Sequence, residues 1–396
     1  MTNGSIKDYT VKNEQSVLLE LVKIGIGKDS NYKIPQSLDW QEIFDLAERQ
    51  KVTAIALDGI NRCFEKGVEL DIDFQTKMDW IGAAQQVETY YQEHEKNISD
   101  LAQFYQEHGI KMMVLKGYGL SLNYPIPNHR APGDIDIYLF GDYEKGDQLM
   151  ESELGIKIDK SHHHHTVFTF QGESVENHYD FLNVHVRKSN QRMERKLKEL
   201  AHRTSKGSNN TNNNQEFLRP SEQATKVERE NLRICNPCPE IVLPSTEFNA
   251  IYLLRHCAAH FASTHMSVKQ VLDWGLFMEK HYNEIDWKPY MSYIKQEGMY
   301  RFYNLMGLFC IHHLGFDVSI FNGLHKDDLL ERFSNEILSP EFKDKEDGSL
   351  LHSLSVKPRR WWHNRWKNRL CYPDGAWSEF AYGLWAKILK PSHFVQ

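Results

Sequence analysis

The chain has 396 residues, 40% hydrophobic and 26% charged, with a formal net charge of -7. That length accommodates two or three domains with a sizeable core, and the acidic balance argues against a dedicated nucleic-acid binder, whose domains are usually basic. Six cysteines are too few for a disulfide scaffold, no N-terminal stretch is composed like a signal peptide, and no apolar run reaches membrane-spanning length; the expectation is a cytoplasmic protein with reduced thiols.

Helical patterning comes first. In "DWQEIFDLAERQKV", Trp40, Ile43, Phe44 and Ala47 recur at helical spacing, and Asp39 followed by Glu42 reads as a capping box. "AAQQVETYYQEHEKNISDLAQFYQEHG" continues as one long helix stopped at Gly109. The period then changes. "IKMMVL" is a short apolar run bounded by glycines, which suits a buried strand, and a loop with a short helix follows from Gly117 to about Tyr124, closed by Pro125 and Pro127. "DIDIYLF" alternates as a second strand, and "TVFTF" and "SVENHYDF" flank a hairpin turn at "QGES". Beyond Arg187 the chain is charged, then low in complexity, and "KGSNNTNNNQ" holds no apolar residue. Helical spacing returns from about Pro244, in "TEFNAIYLLRHCAAHF", "VKQVLDWGLFMEKH" and "YRFYNLMGLFCIHHLG". The expected organisation is a helical N-terminal region over 1–108, an α/β core over 109–190, a polar linker or insertion over 191–240 and a helical C-terminal domain over 241–396.

Alternation puts Asp134 and Asp136 on one face of the second strand, with Ile135, Ile137 and Leu139 on the other. Two carboxylates side by side repel, and persist when a cation sits between them or water screens both. On the D-x-D triplet alone, a solvent-exposed strand end is the stronger reading. Three neighbours shift it. The "LKGYG" turn lies between a strand and a helix, where backbone N–H groups can hold phosphate. Arg130 could clamp a phosphate or pair with an acid. Glu176, His178 and Asp180 share one face of a later strand, and a third carboxylate would complete a metal site and supply a base.

Together these residues resemble the uncharacterised bacterial nucleotidyltransferases of the DNA polymerase β-like superfamily. The matching positions are Lys116 and Gly117, Tyr124 and Pro125, Arg130, Asp134 and Asp136, then Glu176 and His178. The helical segments "LDWQEIFDLAERQKV", "YLLRHCAAHF" and "VKQVLDW" extend the likeness over roughly residues 38–315. It implies an α+β fold, in which a small mixed-sheet core is flanked by helical regions. It also implies transfer of a nucleoside monophosphate from an NTP, ATP among them, to an acceptor hydroxyl with two Mg2+ ions, or Mn2+ in their place. Asp134, Asp136 and Glu176 would be the catalytic carboxylates and metal ligands. Lys116, Gly117 and Tyr118 would cradle phosphates, and Arg130 would neutralise the triphosphate. His178, Asp180, Lys269 and Asp273 are candidates for outer or acceptor contacts, although Lys269 and Asp273 read equally well as an i, i+4 surface pair.

Two other readings stay open: a glycosyltransferase using the D-x-D pair with a metal–nucleotide sugar, and a non-catalytic nucleotide-binding module. The acceptor, a protein, sugar or small molecule, and the oligomeric state are not legible. The net charge disfavours a nucleic-acid acceptor, while "KPRRWWHNRWKNR", with six Lys/Arg and no acid, keeps one open; the plainer reading is an amphipathic helix packed through its tryptophans. "SHHHHT" at 161–166 reads as a solvated start of a strand, with His163 and His165 on one face and His162 and His164 on the other; its place just before the hairpin leaves a base or acceptor contact open. Cys235–Cys238 with His256 and His260 has poor spacing for a zinc finger.

Overall fold

The computed structural model describes residues 13–28, 30, 33–35, 37–185, 187–207, 241–263, 265–340 and 362–374. The expectations for "KGSNNTNNNQ", for Cys235 and Cys238 and for residues 357–361 fall outside them, apart from the first two residues of the polar stretch, which end a helix. The chain divides into two compact units, one of residues 1–88, 123–131 and 250–396, the other of 89–122 and 132–249.

The first unit is helical. It contains α1 (Asn13–Gly25), α2 (Trp40–Arg49), α3 (Thr53–Glu65) and the first part of α4 (Phe74–Glu107). Asp39 caps α2 by accepting from the Glu42 N–H at 3.0 Å, one half of the expected box. Helices α1 and α3 approach backbone to backbone at two glycines: a Cβ on Gly25 would lie 2.0 Å from the Ile55 carbonyl oxygen, and one on Gly59 2.0 Å from that of Leu21. Any side chain at either position would push the helices apart.

The second unit carries the sheet. The end of α4 leads into β1 (Met112–Leu115), the short α5 (Gly117–Ser121), β2 (Ile135–Tyr138), α6 (Tyr143–Leu154), β3 (His165–Phe170), β4 (Glu173–His178), α7 (Lys188–Gly207) and β5 (Ile241–Val242). The strand order is β3-β4-β2-β1-β5; β2 runs parallel to β4 and antiparallel to β1, and β3–β4 is a hairpin. The hairpin turns on Gln171 and Gly172 at φ 48° and 90°, the two positive angles of a type I′ turn, which matches the twist of the strands it joins.

One sheet face is apolar. Val114, Ile135, Ile137, Phe168 and Val175 form a buried cluster with Tyr91, Ile98, Leu101 and Tyr105 of α4. Burying each such side chain stabilises the fold by roughly 1.5–3 kcal/mol. The opposite face carries the polar side chains, and cross-strand register sets them in rows: Leu115, Asp136, Glu176 and Val167 in one, Met113, Tyr138, His178 and His165 in the next.

Residues 188–207, mostly assigned above to a polar linker, form helix α7. Its buried residues Met193, Leu197, Leu200 and Ala201 make a narrow stripe on an otherwise charged helix, too thin to stand out from composition.

In the first unit the chain continues through α8 (Thr246–Ser263, its first four residues in the sheet unit), α9 (Val268–His281), α10 (Trp287–Gln296), α11 (Tyr300–Leu314), α12 (Leu330–Leu338) and a helix over 362–371. In that last helix Trp366 meets Phe261 edge-on at 5.6 Å and stacks under Arg332, while Trp362 is exposed. Among the described residues Cys63, Cys257, Cys310 and Cys371 are buried free thiols, and no helix is long and apolar enough to cross a membrane.

Candidate active site

Strand β2 places Asp136 in the ladder opposite Glu176 of β4, so both carboxylates leave the sheet on the same face. One ligand atom each from Asp136, Glu176 and His178 falls within a span of 4.8 Å. Asp136 Oδ1 is 2.6 Å from Lys116 Nζ and 2.8 Å from His178 Nε2; Glu176 Oε2 is 3.3 Å from the same Nε2. Asp136 and His178 are buried, while Glu176 is half-buried.

The electrostatics follow from these distances. Burial opposes a charge on His178, but its hydrogen bonds to Asp136 and Glu176 outweigh burial and raise its pKa to about 9. Its Nδ1–H donates to the Asp180 carbonyl at 3.2 Å, which fixes the ring and turns Nε2 toward the acids. Burial alone would raise the Glu176 pKa; the His178 bond and the Lys116 charge lower it below the ordinary value. The His178 ring beside Asp136 is therefore cationic at neutral pH.

Lys116 stands at the turn that joins β1 to α5. Its φ is +47°, strained for a residue with a side chain, and Gly117 follows at +22°. This turn brings the Lys116 ammonium onto Asp136. The Tyr118 side chain lies in the apolar core and its hydroxyl donates to Glu95 at 3.0 Å, so the side chain is not turned to a ligand. Asp134 immediately precedes β2, is exposed, and joins no group of three metal-competent side chains among the described residues. Its charge nonetheless reaches Glu176. Asp180 pairs with Lys198 of α7. Alternation sends Asn177 to the far face, where it donates to Asp147 at 2.8 Å.

Arg130, Lys269 and Asp273 belong to the helical unit and form a cluster of their own. Arg130 grips Asp273 with two bonds, of 2.7 and 2.9 Å, and the Tyr124 hydroxyl donates to the same carboxylate at 2.7 Å. Lys269 Nζ donates to the Ala131 carbonyl at 3.2 Å. All four side chains are buried, so Lys269 and Asp273 are not a surface pair.

The sequence favours solvent for His164 and His165 over a contact in the site. His165 is buried and His164 half-buried, so the run is not a solvated start to a strand. Burial lowers their pKa values to about 3 and about 4, assisted for His164 by its imidazole neighbours and opposed for His165 by Glu176; both rings are neutral. The sequence reading missed Glu194, whose carboxylate accepts the Phe181 and Leu182 N–H groups at 3.0 and 2.9 Å and braces the loop after β4. Burial raises Glu194 to about 7.

A mixed sheet with a strand–lysine–glycine–helix turn, and carboxylates paired on neighbouring parallel strands, has the architecture of a nucleotidyltransferase. The chain belongs to a family described as uncharacterised nucleotidyltransferase, whose model matches residues 36–315. It is thus an enzyme of the transferase class, and the family implies an NTP substrate and a divalent metal in general. No curated protein and no solved structure matches the chain.

Proposed function

We propose that the enzyme transfers a nucleoside monophosphate from an NTP to an acceptor hydroxyl with Mg2+ bound at the polar face of the sheet. The observation that carries this reading is the Asp136–Glu176 pair, in register on parallel strands and facing Lys116. The donor set fits a hard divalent ion, which takes oxygen ligands and often uses one or two carboxylates with substrate phosphates. Asp136 and Glu176 would hold the first ion, and Asp134, exposed just ahead of β2, is assigned to a second. Bound there, the ions would neutralise charge at the α-phosphate and make the acceptor hydroxyl more acidic.

The chain's own groups do the rest. Glu176, ionised and half-buried, is the base for the acceptor's proton. The acceptor oxygen forms a bond to the α-phosphorus, the bridging P–O bond to the β-phosphate breaks, and pyrophosphate leaves. Lys116 supplies positive charge beside the phosphates, and the turn at Lys116 and Gly117 would offer them backbone N–H groups. His178 orients Asp136 through Nε2, and Asp180 orients His178 through its carbonyl. Arg130 is assigned to its bidentate pair with Asp273 rather than to the triphosphate. A cytoplasmic setting, where NTPs are abundant, suits this chemistry.

The test is incubation of the protein with each NTP labelled at the α-phosphate, Mg2+ and a cell extract, followed by identification of the labelled product. The reading expects label on one class of acceptor, with release of pyrophosphate. Failure to incorporate label from any NTP, with consumption of nucleotide sugars instead, would move the enzyme to glycosyl transfer.

A further inference from the structure

On a regular strand, consecutive side chains project to opposite faces. His164 and His165 do not separate in this way. His164 sits in a bend just ahead of β3, and its carbonyl accepts the N–H groups of both Tyr179, at 3.1 Å, and Asp180, at 3.0 Å. The Tyr179 hydroxyl also donates to the His162 carbonyl at 3.0 Å. The loop after β4 thus anchors the histidine run against the sheet. One nitrogen each from His164, His165 and His178 then falls within a span of 4.8 Å. The ring centroids are 4.3 Å apart for His164–His165, 5.1 Å for His165–His178 and 5.7 Å for His164–His178.

Two of these imidazoles, His164 and His165, are under-used by the fold. His165 is only 6% exposed, yet neither of its ring nitrogens has a hydrogen-bond partner among the described residues, nor does the buried Nδ1 of His164. Buried polar atoms are nearly always satisfied, and a cluster of exceptions points to a ligand. A carboxylate borders the group: Glu176 Oε2 is 3.7 Å from His165 Nδ1 and 3.3 Å from His178 Nε2. Nitrogen and oxygen ligands at 2.0–2.2 Å from a tetrahedral ion stand roughly 3.4 Å from one another. The two observed separations bracket that value.

We propose that His164, His165 and His178, with Glu176 as the fourth ligand, form a binding site for a borderline transition-metal ion of the Zn2+ class. Three imidazoles and a carboxylate suit Zn2+ or Co2+, whereas Mg2+ takes oxygen. His178 joins by giving up to solvent the Nε2 proton that it shares with Asp136, while its Nδ1–H stays held by a backbone carbonyl; metal-bound imidazoles are typically fixed in this way. Glu176 and His178 serve both this site and the carboxylate site, so an ion held by the histidines withdraws Glu176 from the Mg2+ set and Zn2+ competes with transfer. The histidine site does not depend on the transfer chemistry being as proposed.

The experiment is titration of the tag-free, full-length protein with Co2+ alone, followed by its visible absorption. The expected result is one equivalent bound with the strong absorption of tetrahedral Co2+, displaced by Zn2+. His165→Gln and His164→Gln should each weaken binding more than about 100-fold, since losing even an outer partner of a ligand costs 10- to 100-fold. His163→Gln, at an exposed position, should leave binding unchanged. Circular dichroism checks the fold; if His165→Gln does not fold, the half-buried His164→Gln carries the test. Asp134→Asn separates the two readings, because it should keep Co2+ binding whatever it does to transfer. Absence of the absorption in wild-type protein, or unchanged affinity in His164→Gln and His165→Gln, would overturn the site.

Discussion

The two compact units each bury a cluster of charge, and the clusters differ in what they leave unmatched. In the helical unit one guanidinium meets one carboxylate in a two-bond fork, and a tyrosine hydroxyl adds a third bond. In the sheet unit two carboxylates stand in register and converge on one imidazole, with a lysine against the more buried acid. The fork matches the carboxylate in shape and charge and has little to gain from a ligand. The parallel pair repels itself, and a lysine and an imidazolium stand against it. A closed cluster of this kind holds a fold; an acid pair that must recruit positive charge is suited to binding.

Breaking the closed cluster should give the largest effect on stability. Asp273→Ala leaves Arg130 buried without its fork partner and should cost about 3–5 kcal/mol, read by denaturant unfolding. Burial would raise the Asp273 pKa, but the Arg130 charge and bonds hold it below the ordinary carboxylate value. The stabilisation is therefore present above the unfolded pKa and is lost as pH falls through the folded one. The gap between variant and wild type should narrow in strong acid.

The same kind of change in the sheet cluster should spare stability and remove function. Glu176→Gln keeps the shape of a half-buried side chain and gives up only its attraction to His178 and Lys116, so the melting temperature should move less than in Asp273→Ala. Transfer should fall by about 10²- to 10³-fold, as for other losses of a group acting on the transition state. A large melting shift with transfer intact would reverse the contrast between the clusters.

Glu194 gives a smaller effect with a distinctive pH dependence. Its folded pKa of about 7 lies above the ordinary value, with burial first and the Asp180 charge adding to it, against the two N–H bonds and Lys198. Its contribution to stability is full below the unfolded pKa and is lost as pH rises through about 7. Over that window the loss should amount to about 3 kcal/mol. Glu194→Gln should flatten the stability–pH curve between about pH 4.5 and 7.

The legible parts were those governed by alternation and local punctuation. The Asp136 and Glu176 faces, the Lys116–Gly117 turn and the β3–β4 hairpin follow from period two and from glycine. Asp134 shares the parity of Asp136, but the ladder starts at Ile135, and no residue type marks that one-residue boundary. His164 breaks parity through a bend held by Tyr179 and Asp180, contacts from another strand's loop. The Arg130–Asp273 fork joins residues 143 positions apart, beyond any local pattern. Helix α7 hid behind its charge.

The central claim is that the acid pair of the sheet, and not the closed cluster, performs the reaction. The most direct measurement is Mg2+-dependent release of pyrophosphate from an NTP, in the presence of cell extract, by Asp136→Asn protein whose fold is verified by circular dichroism. The account predicts a loss of at least about 10²- to 10³-fold with the fold retained. A folded Asp136→Asn protein that releases pyrophosphate at the wild-type rate would contradict it.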